Sequence, residues 1–292
     1  VNMWEWKSRK QINTVEWNAV TQESFESKIE WHSEYLDISC DQWGAFFNKQ
    51  TNQRIPVAYN RKYFGLAKVY RQDFCQQLNI IGKNIPSESD WMSWKSALEK
   101  RFYFGTVQTP FFFEGAKERT NLILDMDSYK QNGINGFSAH HRRSIEKTTS
   151  NDFYFDHSVS VDELKTWLDV HAKEFSYLKK FNLIRFKRLL NWLVSKGSGW
   201  LLGVRSADHE LLCIGVFTDD GSRISYLISF NSEAGKKQKA MYALFDQLIK
   251  KYSATHKVLD FEGSDIPGVR RFFEGFGPAR IPYYEHSWSL FS

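Results

Sequence analysis

Val258-Leu-Asp-Phe-Glu-Gly-Ser-Asp-Ile-Pro-Gly-Val-Arg-Arg-Phe-Phe-Glu-Gly-Phe-Gly277 is the stretch on which the reading of this chain turns. A short apolar and β-branched run ends in an acidic, glycine-punctuated turn and passes into a brief helix. Val258, Leu259 and Phe261 alternate imperfectly with Asp260 and Glu262, as in a strand whose C-terminal end opens at a cleft. Gly263 and Ser264 permit the turn, Asp265 can cap the next helix, and Pro267 falls near the first helical position, where its missing N–H costs nothing. Val269, Phe272, Phe273 and Phe276 form the apolar face of that helix, and Gly277 stops it. A strand, a polar tip and a helix start together make a ligand site.

Upstream, Val161 to Phe175 and about Leu183 to Ser195 read as amphipathic helices joined by a basic Lys179-Lys180 turn. Strands follow at Trp200 to Arg205, Leu211 to Thr218 and Arg223 to Phe230, with Ala207-Asp-His and Asp219-Asp-Gly as hairpin turns. A glycine- and lysine-bearing loop precedes a helix from about Lys237 to Lys251, and a last strand runs from Ala279 to Leu290. The second half is therefore α-α-β-β-β-α-β-α-β. In the first half, Ile55 to Tyr59, Leu66 to Tyr70 and Leu78 to Ile81 are strand-like. Ser87 or Ser89 caps a helix to Phe102 that carries Trp91, Trp94 and Leu98 on one face. A short strand at Leu122 to Leu124, helix from Asp127 to Thr149 and a strand at Phe153 to His157 complete an α/β pattern.

The 292 residues suffice for one large or two ordinary domains, and a hydrophobic share of 42% supplies ample core for them. No run of about 18 apolar residues and no signal-peptide pattern appears, so a cytoplasmic location without membrane insertion is expected. Cys40, Cys75 and Cys213 are widely spaced, without a CxxC or a neighbouring histidine pair, and predict buried thiols and no metal. A net charge of +5 favours anionic partners such as phosphorylated small molecules, CoA or transfer RNA without demanding nucleic acid, and DNA is not expected. HExxH, GxSxG and Walker motifs are lacking, which leaves proteolysis, ester hydrolysis at a nucleophile elbow and NTP hydrolysis without support.

The element order is similar to the GNAT acyltransferase fold, in which two helices precede an antiparallel meander and a central strand splays from its parallel neighbour to admit an acyl donor. On that analogy Arg223 to Phe230 and Lys257 to Glu262 are the splayed pair. The whole chain resembles the double-GNAT, FemAB-like proteins, including the Fem-type peptidyltransferases behind the "methicillin resistance protein" label. Phe74-Cys-Gln-Gln-Leu-Asn-Ile80, Ser138-Ala-His-His-Arg-Arg-Ser-Ile-Glu-Lys147 and Leu259-Asp-Phe-Glu-Gly-Ser264 through Phe276-Gly277 carry the likeness. The resemblance implies transfer of an acyl or aminoacyl group to an amine, with aminoacyl-tRNA as donor and a peptidoglycan precursor as acceptor in the Fem-type case. Only a few residues around Lys179 to Asn182 join the two helices, so the long helical arm of some members is absent. Asn231-Ser-Glu-Ala-Gly-Lys-Lys-Gln-Lys-Ala240 keeps one glycine of the GNAT phosphate loop and adds lysines.

Several side chains are candidates for chemistry. Free N–H groups at the helix start after Asn231, Ser232 and Gly235, with Lys236, Lys237 and Lys239, can hold a donor's phosphates; a solvated lysine cluster is the alternative. Asp260 and Glu262, about 6 to 7 Å apart on one side of a strand, can orient or deprotonate the amine; burial against Arg270 or Arg271 is the alternative. Tyr226, Tyr283 and Tyr284 can protonate a leaving group or simply pack. Gln76 and Gln77 can bind an amide, and the basic cluster His140, His141, Arg142 and Arg143 can bind a phosphate or form a solvated face, with Arg270 a further substrate contact. The expectation is two GNAT-like domains around a cleft, residues 1–157 and 158–292, with the more complete site in the second. A CoA-dependent N-acetyltransferase of a small amine and a non-catalytic binding scaffold are the alternatives to the Fem-like transferase. No cofactor beyond acyl-CoA or aminoacyl-tRNA as co-substrate is expected.

Overall fold

The computed structural model describes residues 3–63, 65–174, 182–263 and 266–289. It contains two compact units, one of Val1–Arg119 with Pro282–Ser292 and one of Thr120–Ile281. The first unit holds β1 (Trp4–Ser8), α1 (Thr14–Gln22), α2 (Ser33–Ser39), β2 (Gln42–Asn48), β3 (Arg54–Tyr63), β4 (Leu66–Val69), α3 (Glu88–Arg101) and β5 (Phe104–Thr109). β6 (Lys117–Asp125) leads into the second, which continues with α4 (Asp127–Asn132), α5 (Ala139–Glu146), β7 (Tyr154–Asp156), α6 (Val161–Val170) and α7 (Leu183–Ser195). There follow β8 (Gly199–Arg205), β9 (Leu211–Asp219), β10 (Arg223–Asn231), α8 (Glu233–Lys237), α9 (Ala240–Tyr252), β11 (Val258–Asp260) and α10 (Pro267–Glu274). β12 (Ala279–Ser289) returns the chain to the first unit from Pro282 onward.

The two units repeat one topology. Strand order is β1-β2-β3-β4-β5-β12 in the first and β7-β8-β9-β10-β11-β6 in the second. In both, three antiparallel joints are followed by one parallel joint and a final antiparallel one. The parallel neighbours require a crossover, supplied by α3 between β4 and β5 and by α9 between β10 and β11. α3 starts where Ser87 and Asp90 form a reciprocal capping box, and it buries Trp91, Trp94 and Leu98. α9 buries Met241, Leu244, Phe245, Leu248 and Ile249, a helical stripe that packs with Phe261, Phe273 and Phe276. Cys40, Cys75 and Cys213 are buried free thiols, as expected.

The structure departs from the sequence reading at several points. The units do not divide at 157/158: β6 pairs with β11 and β7 with β8, so residues 120–157 belong to the second unit. The last strand divides as well, because β12 from Tyr284 pairs with β5. The helix expected from Lys237 to Lys251 is broken at Lys239, whose φ of +62° is left-handed and cannot continue a helix. Residues 127–146 form α4, a 3-10 turn and α5 instead of one helix, interrupted where Gly133 takes a φ of +52°. Leu78 to Ile81 contributes one bridge, Ile81 to Arg54, instead of a strand. α6 ends at Val170; Phe175 and the Lys179-Lys180 turn lie outside the described residues, as do Ser264 and Asp265.

Candidate functional site

The site begins where a parallel joint stops. β10 and β11 pair only through Arg223 to Ser225 and Val258 to Asp260, after which β10 runs on for six residues without β11 beside it. Leu227 is an extra residue in β10: Tyr226 faces Phe217 and Ile228 faces Val216, so the ladder to β9 bulges there. A bulge bends and twists its strand, and here it falls at the point of divergence. The opening is a cleft of about 640 Å³. Tyr226, Leu227, Ile228, Ser229 and Asn231 line it from β10; Lys236, Lys239, Met241 and Tyr242 from the α8–α9 segment; and Gly263, Ile266, Gly268, Val269, Phe272 and Phe273 from the β11–α10 segment.

The corresponding crevice in the first unit is much smaller among the described residues. β4 and β5 meet only at Val69 and Gly105, and the crevice beyond them has a volume of about 10 Å³. Gln76 and Gln77 fill it together with Gln72, whose amide donates to the Glu30 carbonyl and the Ser39 hydroxyl at 3.0 Å. Gln77 donates to Gln76 at 2.8 Å, so at least one of these amide contacts is made within the pair.

In the second unit, Asp260 is 1% exposed and bound to the Arg223 guanidinium at 3.0 Å, and it accepts the Glu262 N–H at 2.9 Å. Its partner is therefore Arg223, not Arg270 or Arg271, and the carboxylate serves the strand end. Glu262 does not continue the strand. It and Gly263 take φ values of +53° and +59°, two consecutive left-handed residues that end the alternation with Asp260. A Cβ at Gly263 would lie 2.1 Å from the Thr120 carbonyl oxygen, so this turn requires glycine. Glu262 is half-buried and, unlike its neighbour Gly263, absent from the described lining; a non-glycine residue held left-handed is a strained position of the sort that clusters at functional sites. Arg270 is half-buried on α10 and is absent from the described lining.

Tyr226 is half-buried in the cleft with its hydroxyl 2.9 Å from Ser229 Oγ. Burial pushes its phenol up to about 12, so it holds its proton throughout the neutral range. Tyr283 and Tyr284 belong to β12 in the first unit; Tyr283 is buried and Tyr284 packs edge-on against Phe112 at 5.2 Å.

The anion-binding segment is built differently from an open loop. Ser232 is buried and caps α8, accepting the Gly235 N–H at 3.0 Å while donating to the Leu212 carbonyl at 2.9 Å. The Glu174 carboxylate accepts the Glu233 N–H at 2.7 Å, so that helix start is already occupied by an anion. A Cβ at Gly235 would come within 2.5 Å of the Leu212 carbonyl, which makes Gly235 a packing residue. Lys236 pairs with Glu233 at the cleft wall, and Lys237 is exposed outside the described lining. Lys239, at the start of α9, has its ammonium 5.7 Å from the Tyr242 ring centre, and no side chain caps that helix. Asn231 lines the cleft with a buried Oδ1 that lacks a hydrogen-bond partner among the described residues.

The expected basic cluster on α5 separates. Arg142 donates to the Asn135 and Phe137 carbonyls at 3.3 and 2.8 Å, and Arg143 is exposed. His141 is 3% exposed, its Nε2–H donates to the Phe272 carbonyl at 2.7 Å, and burial lowers its pKa. It is a neutral packing group, and its ring occupies the space a Cβ at Gly275 would need. Leu227, Ile228, Met241 and Tyr242 are site residues the sequence reading missed. A bulge leaves no composition signal, and apolar residues at helix or strand spacing look like core.

No protein-family model matches the chain, and no curated protein sequence does. Solved structures do. A crystal structure of FemX is similar at 12% identity, TM-score 0.65, covering 96% of each chain. A tandem GNAT protein from the clavulanic acid biosynthesis pathway is similar at 10% identity and TM-score 0.55, covering 97% of this chain and 98% of the other. N-myristoyltransferase of Saccharomyces cerevisiae, solved with bound myristoyl-CoA, is similar at 10% identity and TM-score 0.53, covering 99% and 79%. The chain thus has the FemAB-like double-GNAT fold, with two GNAT-like α/β domains.

Proposed function

We propose that the protein transfers an acyl or aminoacyl group from an activated carrier to an amine, with the donor in the cleft of the second unit. The observation that carries this reading is the splayed β10–β11 pair with its bulge at Leu227, opening a cleft of about 640 Å³ whose wall holds Lys236 and Lys239. Among the similar structures, N-myristoyltransferase with myristoyl-CoA supports a CoA-type carrier.

In such a transfer the amine lone pair forms a C–N bond to the donor carbonyl, the bond from that carbonyl to the carrier sulfur or oxygen breaks, and the amine loses a proton. Backbone groups at the free edge of β10 beyond Ser225 are placed to hold the carbonyl, with preorganised polar groups meeting the charge that develops on its oxygen. Tyr226, protonated across neutral pH, donates a hydrogen bond to the departing carrier atom and does not itself ionise. Glu262, next in sequence to the cleft-lining Gly263, takes the amine proton, and Lys236 and Lys239 of the lining neutralise an anionic carrier. Holding both reactants in line supplies most of the rate, as positioning alone can contribute about 7 to 11 kcal/mol.

The test is thermal unfolding of the protein with CoA, acetyl-CoA or aminoacyl-tRNA, since a ligand at 100 times its Kd stabilises the folded state by about 2.7 kcal/mol. A shift with CoA compounds supports a thioester donor, and a shift with tRNA alone supports the Fem-type donor and a cell-wall peptide acceptor. A double-GNAT scaffold without catalysis is favoured by one observation, the engagement of Asp260 by Arg223, and would show binding without turnover. Glu262→Gln should abolish turnover with the fold intact; full activity in that variant removes Glu262 from the mechanism.

A further inference from the structure

We infer that the acyl group carried into this cleft is an extended apolar chain and not acetyl; this rests on the donor reading above and adds the substrate class. The cleft's wall is built from Leu227 and Ile228 of the splayed strand, Met241 of α9, and Val269, Phe272 and Phe273 of α10. These side chains surround the segment of β10 that lies beyond the last β11 pair, where a donor carbonyl would sit. An acetyl group presents one methyl to such a wall and leaves most of it against water, whereas a chain of methylenes covers it and gains the hydrophobic transfer energy. The volume of about 640 Å³ falls within the range of sites that enclose a drug-sized apolar ligand. The cations of the lining, Lys236 and Lys239, come from the α8–α9 segment, Tyr226, Ser229 and Asn231 add polar groups from β10, and the α10 segment contributes Ile266, Val269, Phe272 and Phe273. That division matches a ligand with an anionic carrier at one end and a hydrocarbon at the other. Ile266, 65% exposed at the rim before α10, extends the apolar surface outward, where a chain longer than the cleft would lie.

Gly268 offers a way to test this inside the cleft. It lines the opening, and a Cβ built on it meets no atom within 4 Å, so the first carbon of a side chain fits there without displacing its neighbours.

The experiment is isothermal titration of the full chain with CoA, acetyl-CoA, butyryl-CoA, octanoyl-CoA and palmitoyl-CoA below their micelle concentrations, repeated on Gly268→Leu. The inference expects affinity to rise with chain length, approaching fourfold per added methylene when that methylene is fully buried, and to level off when the cleft is filled. In Gly268→Leu the plateau should come at a shorter chain. Equal affinity for acetyl-CoA and octanoyl-CoA, within about twofold, would overturn the apolar-chain inference while leaving a CoA donor in place. A rising series whose plateau is unmoved in Gly268→Leu would place the chain elsewhere and overturn it too. If CoA and every acyl-CoA fail to bind, the CoA-type carrier falls, and the inference with it; that outcome is distinct from a flat series.

Discussion

Single residues around the cleft are fixed by backbone geometry and burial, and their substitution has separable consequences. Gly263 combines a φ of +59° with a 2.1 Å approach of any Cβ to the Thr120 carbonyl. Gly263→Ala should therefore cost at least about 2 kcal/mol in urea unfolding, since both backbone strain and a clash with an immovable oxygen oppose it. A neutral result would mean that the β11–α10 turn can re-form. His141 gives a pH dependence of defined sign. Burial lowers its folded pKa below the 6.5 of the exposed imidazole, so the unfolded chain binds the proton more readily. Its contribution is complete above pH of about 6.5 and is lost as the pH falls from there through the lowered folded value. Comparing urea midpoints at pH 7.5 and 5.5 should show the loss in the parent protein and a smaller one in His141→Gln; identical slopes would assign the acid sensitivity to other groups. Arg223 and Asp260 illustrate what sequence alone withheld. Alternation placed the carboxylate on a strand, but its cation comes from a neighbouring strand 37 positions away, a pairing that only register decides.

At the scale of elements, the periodic pieces were legible and the junctions were not. The stripes of α3, α7 and α9 and the runs of β8, β9 and β10 follow from apolar spacing, which burial on one face imposes. β1, α1 and α2 gave no such signal, because Trp4, Trp17, Tyr35 and Leu36 are buried from short segments in which charged residues are interleaved with them, and β2 offers only a brief run around Trp43. Sequence puts a loop before a helix from about Lys237, whereas α8 already occupies Glu233–Lys237 and α9 starts at Ala240; the left-handed Lys239 that separates the two is set by tertiary context, since lysine is otherwise a sound helix former. That strained lysine allows stability and ligand binding to be told apart. Glycine at 239 relieves the left-handed conformation, worth about 1 to 2 kcal/mol, and adds about 0.5 to 1 kcal/mol of unfolded-chain entropy. Lys239→Gly should thus leave the urea midpoint unchanged or slightly raised, yet weaken CoA binding by about tenfold through loss of a charged contact. Unchanged affinity in that variant would take Lys239 out of the donor site and leave Lys236 as its cation.

For the whole molecule, the decisive feature is that the chain builds the same six-stranded pattern twice and completes each copy with a strand from a different place. β6, the strand beside β11, precedes the rest of the second unit, whereas β12, the strand beside β5, is added to the first unit after the second has been traversed. Hydropathy along the sequence cannot reveal this, since a strand's apolar alternation does not say which sheet it joins; a boundary drawn at residue 157 between two consecutive halves is the natural reading, and the returning strand defeats it. The arrangement makes a prediction about stability. Within the first unit, Trp288 of β12 donates its indole N–H to the Phe102 carbonyl at 2.7 Å, stacks on His286 and covers Gly105 so closely that a Cβ there would lie 2.8 Å from its ring. His286 in turn meets Glu99 at 2.7 Å, and Glu285 meets Arg119 at 2.8 Å. Trp288→Ala should cost about 3 kcal/mol, because a large ring and a hydrogen bond to the Phe102 carbonyl at the end of α3 go together. Since those partners all belong to the first unit, hydrogen exchange should accelerate in α3, β5 and residues 282–289 while β8, β9 and β10 keep their protection. Uniform acceleration across both units would show that they unfold as one cooperative body, and that the strand closing the first is also what holds the second, with its cleft, in the folded state.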